Sequence, residues 1–449
     1  MIAHHVLVLN PPASRPVFRD HYCSSEAKST YLWQPLDLQV QTLWLRSYGI
    51  RVTAVDAIAQ SLSLDDVLSR VKDDVPTHAL LLTSIRSWRQ DQEVCKALRG
   101  LGVKRIIGSG DFLRFQTGPF AKAKDAMDWI LTDFSADGLA QSIQENRPVE
   151  PAVCDFDADV EACARKLRTA ALDYPREQEP VFGYKSYRLP YPGFHTAASV
   201  LTSFGCTYHC KFCHVGELGY KLRSPERIVE DFEDAARGGA SCVYVRDAMI
   251  NGQPDHARAW MQALVQKNLK MPWAAFMTVR PAPKDMIALA AASGCQHVQI
   301  GVETLNQALR KDNGKAISNE HTLELIEHCH EHGIEVTAHL VLGMPGETEE
   351  TLAQTYENIH RYGFDYVALN LAEHRPGIPW EKQNRVLPVL PDGPAAPEVE
   401  MLQQWQRKMY RRFYLRPTRL AREGMARIKT GDFQDAWSLT ASVTSWLRN

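Results

Sequence analysis

No stretch of this chain is apolar for long enough to span a bilayer, and its opening residues, MIAHHVLVLNPP, carry no secretory pattern. Neither a membrane partner nor a secretory route is expected. Neither sign of charge dominates. Lys and Arg number 51 against 53 Asp and Glu, which removes the basic surplus of a protein that works by neutralising nucleic-acid phosphates. No internal repeat or low-complexity tract stands out, so solenoid and compositionally biased architectures are excluded. The 10 cysteines lack the paired spacing of a disulfide scaffold, and a reducing compartment, the cytoplasm, is expected. At 449 residues the chain is too long for one small core, and two or three domains are the expectation.

Against those absences stand three close cysteines. Cys206, Cys210 and Cys213 read C-T-Y-H-C-K-F-C, with an aromatic just before the last. A C-x-x-x-C-x-x-C spacing can ligate three irons of a [4Fe–4S] cluster and leave the fourth without a protein ligand. Thiolates also suit zinc, and His214 would complete a Cys₃His site. Structural zinc sites usually join two close pairs distant in sequence, and no second C-x-x-C occurs here. The remaining cysteines are scattered and read as small buried residues.

The first 145 residues alternate strand and helix. Apolar runs at 5–9, 51–55, 79–83, 103–107 and 129–131 read as strands; helical periodicity marks 36–47, 64–71, 91–99 and 138–144. That alternation predicts a parallel sheet covered on both faces, with ligands beyond the carboxyl ends of its strands. Those ends carry Asn10, Asp56, Thr83, Ser84 and the turn Gly108-Ser109-Gly110-Asp111. A connector at 147–195 holds a helical stretch at 160–172. A second series follows over 196–375, with strands at 198–204, 242–245, 273–279, 297–302, 335–342 and 366–371 and helices between them. Six such units predict a partial (β/α) barrel, whose active site lies at the carboxyl ends; the cysteine loop directly follows the first of these strands. The tail, 376–449, reads as a Pro-rich loop, a helix at 396–410 and a further helix to the end.

In order and spacing, C-T-Y-H-C-K-F-C after a strand, G-V-E-T at 301–304 and G-M-P-G-E at 343–347 resemble the radical SAM enzymes, over roughly residues 196–375. The resemblance implies a [4Fe–4S] cluster on the three cysteines and S-adenosylmethionine (SAM) on the open iron. It also implies reductive cleavage of SAM to a 5′-deoxyadenosyl radical, fed by an external one-electron reductant such as flavodoxin or ferredoxin. It assigns the methionine amine to Asp247, in Arg246-Asp247-Ala248-Met249 where the commoner pattern is G-G-E. Glu303 and Thr304 fall at further SAM contacts, and Phe212, Gly343 and Gly346 fall near the adenine. Plainer roles compete: a helix N-cap for Asp247 and a tight strand–helix turn for Gly343–Gly346. Glu303 resists a plain role, because an unpaired buried carboxylate is costly.

An N-terminal Rossmann-like domain (1–146) before such a barrel is similar to the cobalamin-binding architecture of class B radical SAM methyltransferases. Asn10-Pro11-Pro12 and Tyr414-Leu415-Arg416-Pro417 match that group. On this resemblance Asn10, Ser84, Gly108 and Gly110 border a cobalamin. Two departures stand out. No D-x-H-x-x-G supplies a histidine to the lower face of cobalt, and the fourth strand ends in Gly-Ser-Gly-Asp rather than a Gly-Gly turn. The fold class expected is therefore α/β: a Rossmann-like sheet, a partial (β/α)₆ barrel and a small helical C-terminal region. The expected activity is hydrogen abstraction from an unactivated carbon of a small metabolite, followed by cobalamin-dependent C-methylation. The alternatives are a cobalamin-independent dehydratase, cyclase or rearrangement enzyme with a vestigial first domain, and a non-catalytic cluster or metal carrier. A polar substrate fits the expected mouth residues Tyr220, Arg246, Asn251, Arg280, His339, Asn370 and Glu373. The long loop 19–37 offers Arg19, Tyr22, Lys28, Tyr31 and Trp33 as further contacts, or is a surface loop with packed aromatics.

Overall fold

Strands that are apolar at every position must be buried on both faces, and the first strand meets that condition along its whole length. In the computed structural model His5–Asn10 (β1) is buried at all six positions. The described residues are 4–15, 17–20, 25–26, 31–110, 113, 123–156, 158, 172–372 and 397–430. They form two compact units, one of 1–189, 196–205 and 217–240, the other of 190–195, 206–216 and 241–449. Among the described residues no helix is long and apolar enough to cross a membrane.

In the first unit a short ribbon, Val17–Phe18 (β2) with Ser25–Glu26 (β3), follows β1. The main sheet continues with Arg51–Asp56 (β4), His78–Leu82 (β5), Arg105–Ser109 (β6), Trp129–Leu131 (β7) and Val153–Asp155 (β8). Its order is β4-β1-β5-β6-β7-β8, parallel except for β8, which runs antiparallel to β7. Helices Leu36–Ser47 (α1), Leu64–Val71 (α2), Trp88–Leu101 (α3) and Gly138–Glu145 (α4) alternate with the strands. Leu7, Leu9, Val55, Val67, Leu81, Val94, Leu98 and Ile130 form one core. The chain leaves β1 for one neighbour and returns to the other, so β1 and β5 flank the switch point where such sheets open a crevice.

Three departures from the sequence reading have local causes. The fourth strand begins at Arg105 rather than at 103, because Gly102, at φ +107, ends α3 and the Val103 N–H closes it on Leu98 C=O at 3.1 Å. The strand expected over 198–204 is divided into Ala197–Val200 (β9) and Ser203–Gly205 (β10). The second piece pairs antiparallel with Tyr220–Leu222 (β11) ahead of helix Pro225–Arg237 (α5). Arg19, expected on a substrate-facing loop, is instead buried at 3% exposure. Its guanidinium donates to Asn10 Oδ1 (2.8 Å), Pro11 O (2.8 Å), Ser87 Oγ (2.9 Å) and Asp91 Oδ1 (3.0 Å). Removing one member of such a buried ion pair costs about 3–5 kcal/mol, so this arginine ties the loop down. Tyr31 and Trp33 stack on Phe18, as packed aromatics do. Tyr22, Lys28, Glu373 and nearly all of the helix expected at 160–172 lie outside the described residues.

The second unit holds five parallel strands, Cys242–Val245 (β12), Trp273–Met277 (β13), Cys295–Glu303 (β14), Glu335–Leu342 (β15) and Tyr366–Leu371 (β16), each paired with the next. Between them run Pro254–Gln266 (α6), Lys284–Ala292 (α7), Gln307–Asp312 (α8), Asn319–Glu331 (α9) and Glu349–Asn358 (α10). Pro397–Tyr414 (α11) and Pro417–Thr430 (α12) complete the unit. An edge strand leaves backbone donors unpaired. On β16, Tyr410 and Tyr414 of α11 accept the N–H groups of Leu369 (2.9 Å) and Val367 (3.0 Å) through their hydroxyls. Near the start of β14, His297 is buried, stacked on Tyr191 at 3.4 Å and bonded to Thr337 Oγ1 at 2.6 Å.

His78 supplies a pH signature of the first unit. Burial, aided by the charges of His4 and Arg105, lowers its pKa from 6.5 to about 4. The native state therefore holds it neutral, while the unfolded chain takes up a proton below about 6.5. Its contribution is complete above that pH and is lost as pH falls towards about 4. His78→Gln is expected to flatten this part of the stability–pH curve; urea unfolding midpoints between those two pH values would show it, and parallel curves would refute it.

Candidate active site

The three cysteines sit on one loop of the second unit, 206–216, all half-buried. Backbone N–H groups already point at the sulfurs: Tyr208 N to Cys206 Sγ and Val215 N to Cys213 Sγ, each 3.4 Å. Burial raises all three thiol pKa values, that of Cys213 to about 12. Thiolates therefore form here on metal binding rather than before it. The loop carries its three cysteines in the C-x-x-x-C-x-x-C spacing that a [4Fe–4S] cluster takes, with the fourth iron left open. Cys95, Cys154, Cys242, Cys295 and Cys329 are buried thiols outside any disulfide, as small core residues.

Phe212 packs against Met344, Val341 and Ala372, which joins the cysteine loop to the G-M-P-G-E turn after β15. In that turn Gly343 and Gly346 adopt φ +86 and +89, a region that disfavours any other residue. A Cβ on Gly343 would strike Leu402 of α11, and one on Gly346 would come within 3.2 Å of Leu309. The turn thus needs both glycines for its own packing. Glu347 folds back to accept the Gly343 N–H. Burial pushes its carboxyl up to about 7 against the pull of the Gly343 and Met344 N–H groups. Its Oε1 is buried without a partner among the described residues.

Glu303 closes β14 after a register shift at Gly301. Its φ of +65 is unusual for a residue with a side chain and costs about 1–3 kcal/mol. The carboxylate is not left unpaired: Lys315 Nζ lies 2.7 Å from Oε1, and both side chains are largely buried. Burial works against the Lys315 charge, but Glu303 and the neighbouring cysteines outweigh it and its pKa is raised. Thr304 is buried; its carbonyl accepts from Arg310 Nη1 (2.8 Å) and its Oγ1 from Asn306 N–H (3.2 Å). Asp247 is buried just past β12. Asn251 is internal, binding the Thr278 and Pro281 carbonyls and the Thr278 N–H (2.6–2.8 Å). Within the strands, Gln299 donates to the Tyr244 hydroxyl (2.9 Å) and its carbonyl meets His339 Nε2 (2.9 Å). Gln299, Tyr244 and Lys315 were not picked out from sequence. The K-D-N-G-K turn at 311–315 was the available signal for the lysine.

At the carboxyl edge of the first unit the expected residues turn largely to one another. Asn10 donates to Asp56 (2.8 Å) and accepts from Arg19; Ser84 Oγ bonds Ser87 Oγ (2.8 Å). A Cβ on Gly108 would meet Leu113 at 2.6 Å and the Met127 sulfur, and one on Gly110 the Thr83 carbonyl. Ser109, ending β6, has a fully buried hydroxyl without a partner among the described residues.

Residues 200–359 match the family model described as Radical SAM superfamily. These residues thus carry a radical SAM domain. Such a domain implies a [4Fe–4S] cluster and SAM. Over 201 residues the chain is 29% identical to cytidylyl-2-hydroxyethylphosphonate methyltransferase of Streptomyces wedmorensis, covering 41% of this chain and 37% of that relative's length. A second curated relative, an uncharacterised methyltransferase of Pyrococcus horikoshii, is 23% identical over 54% of this chain and 56% of its own length. The chain therefore spans less than two thirds of either. The fold is similar to that of the radical SAM methyltransferase TsrM of Kitasatospora setae, solved with tryptophan and a SAM analogue (TM-score 0.67, 20% identity, 84% of this chain, 74% of that one). It is also similar to that of OxsB, a cobalamin-dependent SAM radical enzyme solved with aqua-cobalamin and SAM (TM-score 0.59, 14% identity, 82% and 53%). The expected α/β architecture, a Rossmann-like domain with a partial barrel and a helical C-terminal region, is thus the observed one.

Cys206→Ala, Cys210→Ala and Cys213→Ala, reconstituted anaerobically with iron and sulfide, are each expected to lose the cluster's visible absorbance. Cys329→Ala should keep it. Retention in all three loop variants would remove the loop from the cluster site.

Proposed function

We propose that this chain is a cobalamin-dependent radical SAM methyltransferase acting on carbon in a small, polar metabolite. One observation carries the reading: a single chain joins a parallel sheet with the β4-β1-β5-β6-β7 order to a radical SAM domain with its cysteine loop. The names of the similar proteins support it. When bound, a [4Fe–4S] cluster supplies the electron that cleaves SAM, and cobalamin carries the methyl group.

The chain's own groups then bind and orient, which is the protein's share of such chemistry. In this reading Cys206, Cys210 and Cys213 hold the cluster. Asp247 receives the methionine ammonium, and Glu303 with Thr304 contacts the rest of SAM. Phe212 shields the adenine beside the Gly343–Gly346 turn. Ser109, with its unpartnered hydroxyl, is the assigned polar contact to cobalamin, beside Asn10, Ser84, Gly108 and Gly110. Arg246, His339 and Asn370 give the mouth the polarity for a hydroxylated or charged substrate, and an external one-electron reductant feeds the cluster.

A second reading has its own support. Asn10 and Ser84 are engaged within the protein, and the Cβ directions of Gly108 and Gly110 are filled by protein atoms. A first unit that is only a scaffold would look the same, and the enzyme would then be a cobalamin-free radical SAM dehydratase, cyclase or rearrangement enzyme.

Metal and sulfide analysis of protein made anaerobically with excess cobalamin separates the two. Methyl transfer requires about one cobalt per four irons, with S-adenosylhomocysteine and 5′-deoxyadenosine both formed. Iron without cobalt, and 5′-deoxyadenosine alone, would establish the second reading. Zinc without sulfide would overturn both.

A further inference from the structure

The segment after α8, Lys311-Asp312-Asn313-Gly314-Lys315, is built against the cysteine loop. The Asn313 carbonyl accepts the Lys211 N–H at 3.2 Å, and Lys211 Nζ donates to the Asp312 carbonyl at 2.8 Å. Gly314, at φ +82, lies so close that a Cβ would stand 3.3 Å from the Lys211 nitrogen and 3.7 Å from Cys210 Cα. Asn313 is buried and donates to the Leu309 (2.9 Å) and Pro345 (3.1 Å) carbonyls, which ties the same segment to the G-M-P-G-E turn. Three parts of the site are thus held by one short turn.

Lys315 uses this anchorage. Its side chain runs to Glu303, and its ammonium occupies space kept open by a missing side chain: a Cβ on Gly301 would stand 2.6 Å from Nζ. The residue before it, Gly314, packs against Cys210 and Lys211, which sets the Lys315–Glu303 pair beside the cysteine loop. A cluster on three thiolates is an anion that becomes more negative when reduced. In a partly buried site a fixed cation stabilises that added charge, and a fixed anion opposes it.

We propose that Lys315 is a positioning residue of the radical SAM site: held by the 311–315 turn, its ammonium fixes the Glu303 carboxylate and balances the charge of the cluster on Cys206, Cys210 and Cys213, easing its one-electron reduction. The inference rests on the radical SAM reading of the cysteine loop. The step itself is the transfer of one electron from an external low-potential donor to the cluster, with no bond made or broken.

The test is a potentiometric titration of the reduced-cluster electron paramagnetic resonance signal, without SAM, in the reconstituted full chain. Lys315→Met is expected to retain iron and sulfide but to lower the reduced-to-oxidised ratio roughly tenfold at a fixed potential, equivalent to about 59 mV. Lys315→Arg should restore most of it. Glu303→Gln should shift the ratio the opposite way. Lys315→Met with the wild-type potential would overturn the proposal. Should that variant fail to hold iron, Glu303→Gln decides: a shift towards easier reduction supports the charge balance, and an unchanged potential overturns it. A wild-type chain that takes up no iron and sulfide would overturn the radical SAM reading itself, and the proposal with it.

Discussion

Parallel hydrogen bonding is the constraint on which both units depend. In a parallel sheet every strand delivers its carboxyl end to the same edge, and the connections needed to return the chain are helices that cover the faces. β12 to β16 are all parallel, so the loops after β12, β14 and β15 emerge on one edge. Asp247, Glu303 and Gly343 follow those strands directly or close them. The first unit obeys the same rule with Asn10, Asp56 and Ser109 at its strand ends.

The two edges handle buried polar groups differently. In the first unit Asn10, Asp56, Arg19, Ser87 and Asp91 satisfy one another, and the desolvation of each is offset inside the protein. At the same edge the Ser109 hydroxyl is buried without a partner among the described residues. In the second unit the groups are held but not exhausted. Glu303 gives one oxygen to Lys315 in a backbone conformation that needs support, and Glu347 keeps a buried oxygen without a partner among the described residues. Stored strain and incompletely satisfied groups gather where a ligand is expected, and here they surround the cysteine loop.

Much of this was legible in the residues because it depends on local rules. Strand and helix periods located β15 and β16 to the residue, since both are apolar runs bounded by breakers. The cysteine spacing, G-V-E-T and G-M-P-G-E could be read because metal ligation and left-handed turns demand particular residues at particular intervals. The misreadings came where nonlocal contacts decide. Arg19 looked like a polar loop residue until Asp91, distant in sequence, supplied its partner. Lys315 drew no reading at all, although its charge is buried against Glu303.

The sequence by itself therefore determined the α/β alternation, the cysteine loop that marks the radical SAM domain, and the glycines that its turns require. Each follows from the chemistry of a few neighbouring residues. Only the tertiary structure decided that Asn10 and Arg19 close a network at the sheet edge, that Phe212 meets Met344, and that the 311–315 turn brings a lysine to Glu303 beside the cysteines. The reason is physical: the cost of burying a charge or a polar group depends on which partner arrives to meet it, and that partner comes from a part of the chain no local pattern can point to.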